Sequence, residues 1–295
     1  LWGSRADYSD DGRLSDKLLE GPTDLYRKVR NTFKYLLGNT DGFDPAGDAV
    51  SRAQMPELER FILARLRRLD ESVRAAYDEF SFRRAATSLA DFCNLTLSAF
   101  YLDARKDALY TLSASDPVRR AAQTVMWECV RRLAGLSAPI LSFTAEEVWA
   151  EARRQHPSAG LAESVFLAEL EPTPASWDEP GLNDRWERAL ALREVVLKSL
   201  EAARAAKLIG KPQEARVRLN PSEPADRALV ESMGAEAWAE LCLVSEFELA
   251  SDGEAIRVEK AAGAKCPRCW RWRTDIGVLA ADPELCARCA RQLAS

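Results

Sequence analysis

Through most of the chain the apolar residues recur three and four positions apart, and only beyond Gly210 does the period fall to two. The stretch Ser81 to Tyr110, SFRRAATSLADFCNLTLSAFYLDARKDALY, carries the clearest stripe, at Phe82, Ala85, Leu89, Phe92, Cys93, Thr96, Leu97, Phe100, Ala104 and Ala108. Ser81 is placed to cap it and no Pro or Gly interrupts it. Thirty residues at helical rise span roughly 45 Å. Such a helix is held by packing more than by propensity, so it predicts partner helices around it.

Four neighbours are expected. Thr23 reads as the N-cap of one carrying Leu25, Tyr26, Val29, Phe33, Leu36 and Leu37, with Gly38 and Asn39 as its stop. Pro56 opens a second, through Leu58, Phe61, Ile62, Leu66, Leu69, Val73 and Tyr77 up to Phe80. Asp116 and Pro117 form a cap pair for a third, which ends at the break from Gly135 to Pro139. Thr144 with Glu147 makes a capping box for a fourth, bearing Val148 and Trp149. Short links imply antiparallel neighbours. Pro172, Pro174 and Pro180 mark a boundary, after which a long helix runs from Asn183 towards Ile209 and stops at Gly210. Alternation at Ala215, Val217 and Leu219, and the runs Leu241 to Leu249 and Ile256 to Val258, predict strands, with Asp252 and Gly253 as a hairpin turn between the last two. The fold class is therefore mainly α: an antiparallel helical bundle, then a small α/β domain and a C-terminal zinc module.

The zinc module rests on cysteine spacing. Cys266 and Cys269 are followed, after sixteen intervening residues, by Cys286 and Cys289, two C-x-x-C knuckles at structural zinc spacing. Four thiolates leave no open coordination position, so the metal would fold the tail and would not activate water. A redox pair or an iron–sulfur cluster are the competing readings. Cys93, Cys129 and Cys242 lie in apolar patterns and read as core.

Composition narrows the class. The 295 residues allow two or three domains, and 47% apolar with 29% charged residues describes a globular chain, not a disordered one. A net charge of −5 argues against wholesale coating of nucleic acid and leaves room only for a local basic face. No apolar run approaches the roughly 20 residues of a membrane helix and no signal peptide is visible, which points to a cytoplasmic protein with reduced cysteines. The chain starts at Leu1 in mid-pattern and reads as a piece of a longer protein.

Two basic clusters stand out. Arg83 and Arg84 sit in the first turn of the long helix, where the macrodipole disfavours cations unless an anion binds there; the alternatives are pairing with Asp78 and Glu79, or solvation. Trp270, Arg271, Trp272 and Arg273 lie between the knuckles, where flat aromatics beside guanidinium groups suit unstacked RNA bases and phosphates; the alternative is that the tryptophans cover the small zinc module. The single histidine, His156 before Pro157, reads as a surface residue with no nucleophile pattern nearby, and no Gly-rich phosphate loop occurs. No catalytic residues are found.

The segments LWGSRADYSDDGRLSD, YRKVRNTFKYLLGN, FRRAATSLADFCNLTLSAFYLDARKDALY, LSAPILSFTAEEVW and LREVVLKSLEAARAAKLIGK, closed by CPRCW and LCARC, resemble in order the C-terminal anticodon-binding and zinc-binding part of bacterial isoleucyl-tRNA synthetases. The resemblance implies a connecting end at 1–20, an anticodon-binding bundle at 21–175, a small α/β domain at 176–260 and a zinc module at 261–295. It implies a fragment of a class I ligase that in full activates isoleucine with ATP and transfers it to tRNA. The family's ATP-binding signatures are absent, so this piece is expected to bind isoleucine tRNA and not to charge it, with the catalytic domain missing and no membrane partner. A monomer is expected. Candidate tRNA contacts are Arg30, Arg83 and Arg84 on phosphates and Trp270 and Arg271 near anticodon-loop bases. The other readings are a valyl or leucyl synthetase fragment, or a zinc-stabilised protein-interaction module, which the net charge favours.

Overall fold

The computed structural model describes residues 16–293, so most of the connecting piece expected at 1–20 lies outside the described residues. The chain divides into two compact units: the first takes the chain up to Leu102 and then Ser115–Glu179, the second Asp103–Ala114 and the chain from Pro180 on. Among the described residues no helix is long and apolar enough to cross a membrane.

The first unit is a bundle of α1 (Asp16–Thr40), α2 (Glu57–Asp78), the part of α3 (82–111) up to Leu102, α4 (Pro117–Ser137) and α5 (Ser142–Gln155). Its centre is α4, not the long helix. Ala121, Ala122, Cys129 and Ala134 are fully buried along it, and these small side chains let α1, α2 and α5 close on it from several sides. Phe33, Leu36, Phe61, Ile62, Leu66, Leu97, Met126 and Leu133 fill the space between.

α3 is not uniformly α. Its middle, Phe92–Tyr101, is a π-helix between the α segments Phe82–Asp91 and Leu102–Thr111. The buried pairs Phe92–Cys93, Thr96–Leu97 and Phe100–Tyr101 repeat every fourth residue, a spacing that a turn wider than α keeps on one face. Tyr101 Oη donates to the buried Glu59 at 3.2 Å, and the Thr32 hydroxyl bonds Ser98 Oγ at 3.1 Å, which hold the widened turns in place.

Several expected caps are replaced. α1 begins upstream of Thr23, which lies inside it and donates its hydroxyl to Leu19 O at 2.7 Å; Gly38 and Asn39 are also helical, and Thr40 is the last residue. α5 begins at Ser142, before the expected capping box. The Thr144 hydroxyl instead bonds Tyr26 Oη at 3.0 Å and Glu147 pairs with Arg30 at 3.2 Å, so tertiary partners took both groups. Asp116 does cap α4, accepting from Val118 N at 2.9 Å.

His156 is not on the surface. It is 2% exposed at the end of α5, with Nδ1 2.9 Å from Phe43 O, Nε2 3.3 Å from Thr40 Oγ1, and its ring 4.7 Å from that of Trp127. Burial pushes its pKa below the ordinary histidine value, against the pull of Phe43 O, Asp41 and Asp44.

In the second unit α6 (Leu182–Ala205) stops short of Gly210. Lys207 takes the left-handed turn at φ 60° and Leu208 N reaches back to Ala203 O at 3.0 Å, so a lysine does what a glycine was expected to do. The sheet contains β1 (Ala215–Leu219), β2 (Glu246–Leu249) and β3 (Ile256–Lys260) in the order β2-β1-β3. β1 pairs in parallel with β2, Val217 opposite Phe247, and antiparallel with β3, Val217 opposite Val258. Consequently β2 and β3 form no hairpin at Asp252 and Gly253: the strand with buried alternation, β1, lies between them. Parallel pairing requires a crossover, supplied by α7 (Pro224–Met233) and α8 (Ala235–Cys242), which makes Leu241 and Cys242 helical where a strand was expected.

Candidate functional site

The tail is built around a two-residue ladder, β4 (Ala264–Lys265) against β5 (Trp272–Arg273), which turns the chain back through the first knuckle. Gly263 makes this possible: at φ +85° a Cβ there would lie 2.1 Å from Arg273 O. Cys266 N donates to Arg271 O and Trp270 N to Cys266 O, both at 2.9 Å, closing the knuckle. The second knuckle leads into α9 (Ala287–Leu293), whose first turn carries Cys289. Gly277, at φ +80°, donates to Leu285 O at 3.1 Å ahead of it.

These turns bring the four sulfurs of Cys266, Cys269, Cys286 and Cys289 within 4.8 Å of one another, with Cys269 and Cys286 at 3.9 Å. A tetrahedral ion with metal–sulfur bonds of about 2.3 Å needs sulfurs roughly 3.8 Å apart, so the donor set fits zinc. A hydrogen bond from Cys289 draws the Cys269 thiol down to about 5, while that same bond pushes Cys289 up and burial pushes Cys286 up. Four thiols so close ionise together only with a cation among them. Cys93 and Cys242 are pushed up to about 12 by burial and are core thiols, as expected.

A second set of residues, invisible in the sequence pattern, surrounds this cluster. Asp107, on the last turns of α3, accepts a fork from Arg288 at 2.6 and 2.7 Å, and Arg271 stands 3.9 Å away. Burial pushes the Asp107 carboxyl up, but the Arg288 fork and the two guanidinium charges hold it below the usual carboxylate range. Arg268 Nη2 donates to Thr111 O at 2.9 Å, and Ser113 N to Gln292 at 2.7 Å. Arg105 meets Glu240 at 2.9 Å. Residues 103–114 are thus tied to the zinc module and to α8 by bonds, most of them charge-assisted, whose partners lie more than a hundred positions apart, a pairing that no local spacing reports.

The five candidate RNA-contacting residues fall in both units. Arg30 and Arg84 are exposed and occupied by carboxylates, Glu147 at 3.2 Å and Glu79 at 2.8 Å; Arg83 is exposed beside Arg84. Arg271 is 5% exposed and bonds Glu236 at 2.7 Å, so its charge faces protein. Trp270 beside it is 59% exposed, with Lys265 Nζ 5.5 Å from its ring. A cleft of about 680 Å³ opens next to it, lined among others by Tyr110, Thr111, Leu243, Arg268 and Trp270.

Comparison with known proteins adds to this geometry. A family model described as the anticodon-binding domain of tRNA ligase matches residues 59–219, and one described as a zinc finger found in FPG and IleRS matches residues 263–292. The chain is 40% identical over 304 residues to the isoleucine–tRNA ligase of Syntrophotalea carbinolica, covering 99% of the chain and 32% of that protein. It is 40% identical over 304 residues to that of Geobacillus thermodenitrificans, covering 98% and 32%, and 40% over 297 residues to that of Azoarcus sp., covering 99% and 31%. The chain spans about a third of the length of these relatives.

Proposed function

The chain belongs to the anticodon-binding family of tRNA ligases and corresponds to the C-terminal anticodon- and zinc-binding part of bacterial isoleucine–tRNA ligases, and on that premise we propose that it binds the anticodon arm of isoleucine tRNA for a catalytic half elsewhere in the whole enzyme. The observation that carries this reading is the succession, in one chain, of the matched helical bundle and a tail whose four thiols converge at zinc distances. The whole enzyme would activate isoleucine with ATP in the cytoplasm and transfer it to the tRNA; this part would supply recognition and orientation. The domain limits 21–175, 176–260 and 261–295 belong to the same proposal.

Cys266, Cys269, Cys286 and Cys289 would hold one zinc ion, which serves as a crosslink and leaves no position for water. Arg30, Arg83 and Arg84 would contact phosphates. The exposed pairs of Arg30 and Arg84 contribute only about 0–1 kcal/mol each, so a phosphate can displace the carboxylate at little cost. Trp270 would meet a loop base, with Arg271 holding the knuckle that presents it.

The test is a titration of the zinc-loaded chain with isoleucine tRNA and with valine tRNA at two salt concentrations, before and after chelation. Preferential binding that weakens with salt and with zinc removal is expected. Equal affinity for both tRNAs would refute the isoleucine assignment, and affinity independent of salt would refute the phosphate contacts.

A further inference from the structure

We propose that Cys269 is an oxidant-reactive thiol, and that its oxidation by hydrogen peroxide, resolved as a disulfide by Cys286 of the other knuckle, releases the zinc ion and unlatches the C-terminal module. The four thiols differ in access. Cys266 and Cys289 are 0% exposed and Cys286 is 1% exposed, whereas Cys269 is half-buried. The next residue, Trp270, turns the chain at φ +64° and carries its ring out to solvent. Of the four cysteines Cys269 alone lines the cleft of about 680 Å³ beside the knuckle, so a small solute reaches its sulfur from water. As a metal ligand it is a thiolate, the form that an oxidant attacks, and reactivity follows thiolate character and exposure together. Cys93, Cys129 and Cys242 are buried in the core, at 2%, 0% and 0% exposed, and stand as internal controls. The chemistry concerns the thiols alone and holds whether or not the chain binds tRNA.

A resolving thiol stands ready. Cys286 Sγ lies 3.9 Å from Cys269 Sγ, and a disulfide of about 2.05 Å asks the two sulfurs to close by less than about 2 Å. Arg268 and Arg271 line the cleft on either side of Cys269 in the chain, and Arg268 has no carboxylate partner among the described residues, its Nη2 donating to Thr111 O at 2.9 Å. A guanidinium so placed stabilises an anion that leaves there. In the first step the Cys269 thiolate attacks one peroxide oxygen. An S–O bond forms, the O–O bond breaks and hydroxide leaves, so the sulfur loses the two electrons that the peroxide gains. In the second step the Cys286 thiolate attacks that sulfur; the S–S bond forms, the S–O bond breaks and a second hydroxide leaves. Both hydroxides take protons from the solvent, and two thiolates with one peroxide have become one disulfide and two hydroxides. Two thiolates, Cys266 and Cys289, then remain where a closed tetrahedral site needs four. The first turn of α9 loses its anchor at Cys289, and a dithiol reductant reverses the change.

The experiment treats the zinc-loaded chain with hydrogen peroxide, follows zinc with a chromophoric chelator, and maps the sulfurs by differential alkylation and mass spectrometry. One zinc ion is expected in solution for each peroxide consumed, with Cys269 joined to Cys286 while Cys93, Cys129 and Cys242 remain free thiols. Reduction by dithiothreitol with added zinc should restore the bound ion. The variant C269H keeps a three-cysteine, one-histidine set, which zinc accepts, and its loss of zinc to peroxide should be at least about tenfold slower than the parent's. Zinc release from C269H at the parent's rate would overturn the proposal, as would a disulfide confined to one knuckle, oxidation of the core cysteines first, or a parent chain that keeps its zinc under a large excess of peroxide. If C269H takes up no zinc, the disulfide map of the parent decides alone.

Discussion

Replacing Asp107 with Asn tests whether the end of α3 holds the zinc module. The Asp107 carboxylate receives two bonds from Arg288 at 2.6 and 2.7 Å and one from the Thr111 hydroxyl at 3.1 Å, with its side chain 15% exposed against 28% for Arg288. An amide keeps the shape and one acceptor but removes the charge. An exposed pair would cost about 0–1 kcal/mol and a fully buried pair with one partner removed about 3–5 kcal/mol. Arg288 can regain water at its exposed edge and Arg271 retains Glu236, so the loss should be about 2–3 kcal/mol. Read as local opening, this is a roughly 30- to 150-fold rise in amide exchange at residues 103–114 and in α9, and in zinc transfer to a chromophoric chelator. The pH dependence has a definite sign. The folded carboxyl lies below its ordinary 3.8, so the unfolded state binds more protons in acid. The contribution of Asp107 is complete above the unfolded value and is lost as pH falls through the folded one. The parent's advantage over D107N should be flat above about pH 5 and shrink below about pH 4. Protonation of the zinc ligands is common to both chains and cancels in the difference. A D107N chain within about 0.5 kcal/mol of the parent at neutral pH, or an advantage that grows in acid, would refute the reasoning.

Gly263→Ala should push its Cβ against Arg273 O, 2.1 Å away, and weaken the first knuckle by more than about 2 kcal/mol; zinc competition titration would show the affinity falling at least tenfold. His156→Leu should destabilise the first unit by about 1–3 kcal/mol by leaving Phe43 O without its donor, with zinc content unchanged; in the parent, because the folded pKa is depressed, the first unit should lose stability as pH falls below about 6.5, and denaturation followed at Trp127 reads both. Arg84→Ala should leave the melting temperature unaltered and reduce the slope of log affinity for tRNA against log salt by about one. Cys286→Ser should abolish stoichiometric zinc and unfold the tail, seen as loss of amide protection across 264–293 with the bundle's protection retained.

The helical period of the apolar residues determined that five helices would form and which face of each is buried, because that face must leave water whatever the partner. Cysteine spacing likewise picked out the four thiols that converge, since a C-x-x-C turn places both sulfurs on one side by local geometry alone. Alternation in Ala215, Val217 and Leu219 determined β1 in the same way. What remained open were the points where distant groups compete with a local rule. Thr144 and Glu147 match a capping box, yet Tyr26 and Arg30 took them; Asp252–Gly253 matches a hairpin turn, yet β1 inserted between the two strands. His156 before Pro157 looked like a loop residue until Trp127 and Phe43 enclosed it. Arg271 and Trp270 are neighbours of similar promise in the sequence, and only the structure separates the guanidinium buried on Glu236 from the ring left open to solvent. Nor could any spacing show Asp107 beside Arg288, 181 positions on. Hydrophobic period and ligand spacing act over a few residues and survive in the sequence; ion pairs, strand order and exposure depend on which surfaces meet, which only tertiary packing decides.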